Sequence, residues 1–429
     1  MHAPLSFHPR TPESSYASLV QDGAVDPALY TDPRIFEAEM EHIFYRTWIW
    51  VAHVSELPKP GDFKSTWVGR HPVIVVRDRN AQLHVLENRC RHRGATVCEK
   101  TKGNTSGFTC PYHSWSYGLD GKLRGLPYAD GYEDVIEKSE LPLKSLRVES
   151  YAGMIFASYN HDIEPLEQFL GNARHWIDLF MKQGAGYPIK TQGEHKFSFK
   201  GNWKIQLENT TDGYHFPVVH KTFLQSVDAE TSEMLSFMTD EKSITRSLGN
   251  GHSVMVMVPG HVDLDLDDGS EQLQERFSHV IAELSKDYPP EQVRRIVRSL
   301  HGAGFNLNLF PNVAMSMSFF RVLRPVAVDE TEIRHVALGM DGGPEIANRE
   351  RLRIHEHFQG PFGFGSPDDA EAWERVQSGA RAGRDVPILV NRGLNREWVD
   401  RNGDKVSHST DETGMREAYA MWKRMMSND

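Results

Sequence analysis

The sequence predicts an α+β protein in two parts. One is a small all-β domain over residues 45–160, and the other is a larger domain made of residues 1–44 and 161–429 around an antiparallel sheet. Three observations carry this. Short strand-like runs punctuated by glycine fill 61–158. Strand runs and helical blocks after 187 are set apart rather than alternating one by one, which favours an antiparallel sheet over a parallel one. The chain of 429 residues is long enough for two to three domains, and its 39% apolar content suffices for real cores.

Taken in order, Thr31-Asp32-Pro33 opens a helix, a cap residue followed by a first-turn proline. Phe36, Met40, Ile43, Phe44 and Tyr45 follow at helical spacing. Residues 73–76 and 83–86, separated by Arg77-Asp78-Arg79-Asn80, read as a β-hairpin. Leu119-Asp120-Gly121-Lys122 signals another turn. A helix over 165–180 buries Leu166, Phe169, Leu170, Trp176, Ile177 and Phe180. Alternation at Phe305, Leu307 and Leu309, and then at Met315, Met317 and Phe319, marks strands, as does 333–338. Helices are expected near 280–300, 344–358, 368–381 and 411–426.

Composition narrows the class. With 48 Lys+Arg against 59 Asp+Glu the net charge is −11, which argues against nucleic-acid and anionic-membrane partners. No apolar run nears the ~18 residues that span a bilayer. The first ten residues have no signal-peptide pattern, and three cysteines cannot staple a chain of this length, so a reducing cytoplasm is expected.

Cys90-Arg91-His92 and Cys110-Pro111-Tyr112-His113 form the strongest motif, C-x-H and C-x-x-H separated by seventeen residues. Each lies just after a strand-like run, so two loop tips can converge. A structural zinc site usually keeps its cysteines together and its histidines together. One Cys and one His per loop instead suits a cluster with two thiolates on one iron and two imidazoles on the other, the Rieske [2Fe–2S] arrangement. Cys98 is left without a role.

A second group lies in Asp212-Gly213-Tyr214-His215-Phe216-Pro217-Val218-Val219-His220. If 205–216 is helical, Asp212 and His215 share a face, while His220 falls about 140° away on an ideal helix. Pro217 is expected to bend or end the helix at Phe216 and so bring the two imidazoles together. Alone the spacing is unspecific. Beside an iron–sulfur cluster it gains weight, because a one-electron store needs an acceptor, and two His plus a carboxylate form the facial triad of non-haem Fe(II) oxygenases.

On these motifs the chain resembles the large (α) subunits of Rieske non-haem iron ring-hydroxylating oxygenases, nearest the benzoate and aromatic-acid dioxygenases. The resemblance runs from about residue 30 to the C-terminus and includes Gly201-Asn202-Trp203-Lys204 and Ser366-Pro367-Asp368-Asp369. It implies a Rieske β-domain on a helix-grip catalytic domain. Cys90, His92, Cys110 and His113 would hold the cluster, and His215, His220 and Asp369 a mononuclear Fe(II). Asp212 would link His113 of a neighbouring subunit to an iron histidine. Ser366-Pro367-Asp368-Asp369 also reads as a capped helix start, and both roles are compatible. Ser114 stands where the family usually has glycine.

The implied activity is dioxygenation of an aromatic ring, an aromatic acid above all, to a cis-dihydrodiol. The alternative is a monooxygenase, either hydroxylase or demethylase, on the same two sites. Asn306, Asn308 and Gly365 are weak pocket candidates, and Arg321 could meet a carboxylate. No G-x-G-x-x-G follows a strand, so electrons are expected from a separate NADH-dependent reductase, with or without a ferredoxin. The resemblance also implies a trimeric α₃ core, α₃β₃ with a small β subunit.

Overall fold

The computed structural model describes residues 16–427 except 229–230, 233–234, 237–240, 267–274 and 384–385. By internal contacts the chain forms two compact units, Met40–Phe169 on one hand and Met1–Glu39 with Leu170–Asp429 on the other.

The unit Met40–Phe169 is built on a 7-stranded antiparallel sheet. Its order is Ile49–His53, Met154–Ser158, Ser145–Tyr151, Leu83–Glu87, His71–Arg77, Asp62–Val68 and Lys102–Asn104. The hairpin read from sequence is present, with Val75 opposite Val85. Its turn is closed by Asp78, whose carboxylate accepts the amides of Asn80 and Gln82. A 3-stranded sheet joins Leu123–Gly125, Ser116–Tyr117 and Phe108–Thr109. Gly121, at φ +79°, permits the turn between its first two strands. Ile74, Val76, Leu86, Phe108, Trp115 and Tyr117 share one core with Cys90 and Cys110. The thiols are therefore anchored in packed side chains.

The other unit carries a 9-stranded antiparallel sheet. Its order is Ile189–Phe199, Glu330–Met340, Phe319–Ala327, Val313–Met317, Ala303–Leu309, His252–Val256, Ile244–Gly249, Lys405–His408 and Trp398–Val399. Helices Glu345–Gln359, Ser366–Ala382 and Thr413–Ser427 pack on it. Glu39, fully buried, accepts from Trp203 Nε1 (2.8 Å), Trp422 Nε1 (2.7 Å) and Lys204 Nζ (2.5 Å). One carboxylate thus ties the N-terminal helix to the helix Trp203–Thr210 and to the C-terminal helix, its charge matched by Lys204.

Several elements differ from their sequence reading. The helix from residue 33 runs only as Pro33–Glu39 and passes into a π-turn, Met40–Phe44. The 165–180 helix is divided into Leu166–Leu170 and Ala173–Met181 by Gly171 at φ +48°. The 280–300 helix is two, Ser278–Leu284 and Pro290–Arg298, because Pro289-Pro290 cannot continue the first. The apolar alternation through 315–319 is a hairpin. Met317, at φ +45°, ends one strand, and Phe319 begins its antiparallel partner. Alternation survives such a tight turn, so periodicity could not reveal it. No described helix is long and apolar enough to cross a membrane.

Candidate metal centres and the adjoining cavity

The loops after Leu83–Glu87 and Phe108–Thr109 repeat one turn. The amides of Cys90 and Cys110 donate to the carbonyls of Ala95 and Trp115, both at 2.8 Å. Each cysteine carbonyl accepts the amide four residues on, Gly94 or Ser114, both at 3.0 Å. That fourth residue is left-handed in both loops, φ +75° for Gly94 and +58° for Ser114. Glycine adopts this freely and serine does not.

The turns bring the His92 and His113 rings to 4.6 Å between centroids, with His92 stacked on Trp115 at 4.9 Å. The Tyr132 hydroxyl meets His92 Nε2 at 3.2 Å, while His92 Nδ1 is buried with no partner. The Tyr117 hydroxyl accepts the Arg91 amide and lies 3.3 Å from Cys90 Sγ. Burial, and Cys90 close by, raise the Cys110 thiol above its ordinary value. An orphaned imidazole nitrogen beside two buried thiols fits a metal group that takes both as ligands. Cys98 contacts Ser65 and Lys100 instead.

In the other unit, Asn202 caps the helix Trp203–Thr210, accepting the Lys204 amide. This helix ends at Thr210, earlier than the sequence suggested, so Asp212 and His215 sit in the turn beyond it. The Asp212 carboxylate accepts the amides of Tyr214 (2.7 Å) and His215 (3.3 Å) and fixes that turn. Pro217 does not end a helix. It stands in the first turn of a short new one, Phe216–Val219, flanked by His215 and His220. A first-turn proline sacrifices no helical hydrogen bond.

Asp369 lies in the first turn of Ser366–Ala382. The expected serine cap is absent. Ser366 Oγ donates back to Gln359 O, joining the two helices across 360–365. Asp369 Oδ1 stands 3.4 Å from His215 Nε2 and 3.2 Å from His220 Nε2. Among the described residues this trio is the group whose ligand atoms all lie within 4.8 Å of one another. Asp369 and His220 are 3% and 1% exposed, whereas Asp368 is only half-buried.

Asp212 Oδ2 lies 3.3 Å from His215 Nδ1, so Nε2 is left toward Asp369. Burial pulls the His215 imidazole down, yet Asp212 and then Asp369 outweigh it and hold it up at about 10. Burial would raise Asp369, but hydrogen bonds from His215 and His220 hold it well below the usual carboxylate range. Protons thus stand where a divalent cation would balance the same carboxylate. Two imidazoles and one carboxylate fit a non-haem Fe(II) with open positions. Sequence reading gave Asn209 no role, but its amide bridges His215 Nε2 and Asp369 Oδ1, both at 3.2 Å.

The trio faces a cavity of about 840 Å³, solvent-open mouth included. Phe216, Phe223, Phe358, Met255 and Met257 give it apolar walls. Asn306 lines it but donates to Thr210 O. Asn308 is not in the lining and donates to Leu207 O, so both amides brace the helix Trp203–Thr210 that leads into the Asp212–His215 turn. Gly365 also lies off the lining. A Cβ there would meet the Phe358 ring at 2.6 Å, so its influence passes through Phe358. Sequence reading missed Phe358, Thr210 and Gln359, since no motif distinguishes a wall residue from core.

Residues 47–151 match the Rieske [2Fe-2S] domain, and residues 187–428 match the catalytic domain of the ring-hydroxylating alpha subunit. The anthranilate 1,2-dioxygenase large subunit of Acinetobacter baylyi is 35% identical, over 86% of this chain and 80% of its own. The toluate 1,2-dioxygenase subunit alpha of Pseudomonas putida is 31% identical, over 83% and 78%. The structure of naphthalene 1,2-dioxygenase with indole bound superposes with a TM-score of 0.80 at 27% identity, over 96% of this chain and 94% of that one. The chain belongs to the family of Rieske ring-hydroxylating dioxygenase α subunits, oxidoreductases that use a [2Fe-2S] cluster and a mononuclear iron.

Proposed function

We propose that this chain is the oxygenase component that converts an aromatic acid to a cis-dihydrodiol, with His215, His220 and Asp369 as the mononuclear iron ligands. The observation that carries this is the buried trio opening on an apolar-walled cavity. Both relatives named above act on aromatic acids by their names. In this reading residues 45–160 form the cluster domain, with Cys90, His92, Cys110 and His113 as ligands.

When bound, the cluster supplies single electrons and the Fe(II) supplies O₂ activation. The chain's residues do the rest. Asp212 Oδ2, 3.3 Å from His215 Nδ1, orients that ring electrostatically and so keeps Nε2 turned toward the metal. By analogy with the family, the same carboxylate meets His113 of a neighbouring subunit. Phe216, Phe223 and Phe358 exclude water and hold a flat ring. Electrons come from an NADH-dependent reductase, with or without a ferredoxin, to an α₃ core joined by a small β subunit.

Turnover of an aromatic-acid panel under ¹⁸O₂ with a matched reductase tests the proposal. The expected product carries both labelled atoms on adjacent ring carbons. One labelled atom per product would establish the monooxygenase outcome instead.

A further inference from the structure

Arg321 is 5% exposed and lines the same cavity as the trio. A buried guanidinium normally has a carboxylate partner, because removing its charge from water is expensive. Here every partner is neutral. Nε donates to His335 Nε2 (3.0 Å), Nη2 to Gln359 Oε1 (3.1 Å) and Nη1 to Thr210 Oγ1 (3.4 Å). His335 Nδ1 faces the Gln359 carbonyl at 3.2 Å, which fixes the neutral tautomer that accepts from arginine. Among the described residues, no carboxylate lies within 4.0 Å of this guanidinium, and Phe319 packs 5.6 Å from its centre. Three of its five N–H groups are placed, which leaves two.

The cavity's own acids are committed elsewhere. Asp369 holds His215 and His220, and Asp212 holds the 212–215 turn. Arg321 therefore stands in an apolar-walled cavity with no carboxylate in contact, and Asp369, committed to the two imidazoles, acts on its charge only from a distance.

We propose that Arg321 is the carboxylate anchor of this cavity, binding an aromatic acid through its remaining N–H pair and fixing which ring edge meets the trio. The inference rests on the aromatic-acid reading above. A planar guanidinium matches a carboxylate in two parallel hydrogen bonds, which no lone lysine reproduces. The neutral ring of His335, the Gln359 amide and the Thr210 hydroxyl hold the fork in place without competing for the ligand's charge.

Calorimetric titration of the iron-loaded enzyme tests this, with benzoate, 2-aminobenzoate and methylbenzoates set beside their uncharged amides. Wild type is expected to prefer the acids at least tenfold. Arg321→Gln should weaken the acids by about 30-fold, the scale of a lost desolvated charge pair, and change the amides by less than about threefold. Arg321→Lys, which keeps the charge but not the fork, should fall between. Iron content and the cluster's visible spectrum report folding of each variant. Equal losses for acids and amides in both variants, or an acid preference retained in Arg321→Gln, would overturn the anchor while leaving the aromatic-acid reading standing. A wild type that binds amides as well as acids would remove both.

Discussion

In residues 90–114, donors sit on two copies of one hydrogen-bonded turn, each closed by its own amides within five residues of chain. His215, His220 and Asp369 come instead from a turn after one helix, the end of a four-residue helix and the start of a third helix some 150 residues on. The first set is shaped by local backbone. The second exists only when the sheet and the buried Glu39 hub position the helix Trp203–Thr210. A locally made site should tolerate changes elsewhere in its domain, and an assembled site should respond to them.

The largest expected effect breaks the local set. Cys110→Ser should abolish the cluster's colour and reduced-state EPR signal, and reductase-driven turnover with them, while mononuclear iron still binds when Fe(II) is supplied. A variant that kept the signal would remove Cys110 from the ligand set. Asp212→Ala comes next. Cluster spectrum and iron content should persist while turnover falls by about 100-fold, the upper range for a carboxylate that orients a ligand histidine. Unchanged turnover would refute its positioning role.

Glu208 tests the sensitivity of the assembled region. Half-buried on the helix that leads to Asp212, it accepts from Tyr30, at 2.8 Å, and from Tyr419. Burial raises its carboxyl from 4.5 to about 7. The folded state therefore holds a proton that the unfolded chain has released, so this contribution favours folding most below pH 4.5 and is lost as pH rises to 7. Glu208→Gln, which keeps an acceptor for both tyrosines, should gain stability relative to wild type across that window, at no more than ~1.4 kcal/mol per pH unit. Parallel urea curves at pH 5 and 7.5 would contradict it.

The smallest effect sharpens the local comparison. Ser114 holds the conformation that Gly94 adopts freely in the twin loop, so Ser114→Gly should stabilise the unit Met40–Phe169 by about 1 kcal/mol without moving the cluster spectrum. Destabilisation would mean that the serine side chain contributes more than its backbone strain removes.

The same contrast explains what the sequence could disclose. Cys90, His92, Cys110 and His113 were legible because their geometry is written in adjacent residues. Asp212, His215 and His220 were legible as a group, but the helix joining them was misjudged, since Pro217 can end one helix or open another and only packing decides. Asp369 needed a family resemblance, because its motif doubles as an ordinary helix start. Asn209, Gln359 and Phe358 acquire their places through tertiary contacts that no local pattern encodes. The lack of a carboxylate beside Arg321 is likewise a property of the folded neighbourhood, invisible along one strand.

The claim that this protein holds two separate iron centres is tested most directly by metal analysis and EPR of Asp369→Ala beside wild type. The account predicts loss of one iron equivalent, an unaltered signal from the reduced cluster and no product from any aromatic substrate. A variant that retains wild-type iron content and turnover would contradict it.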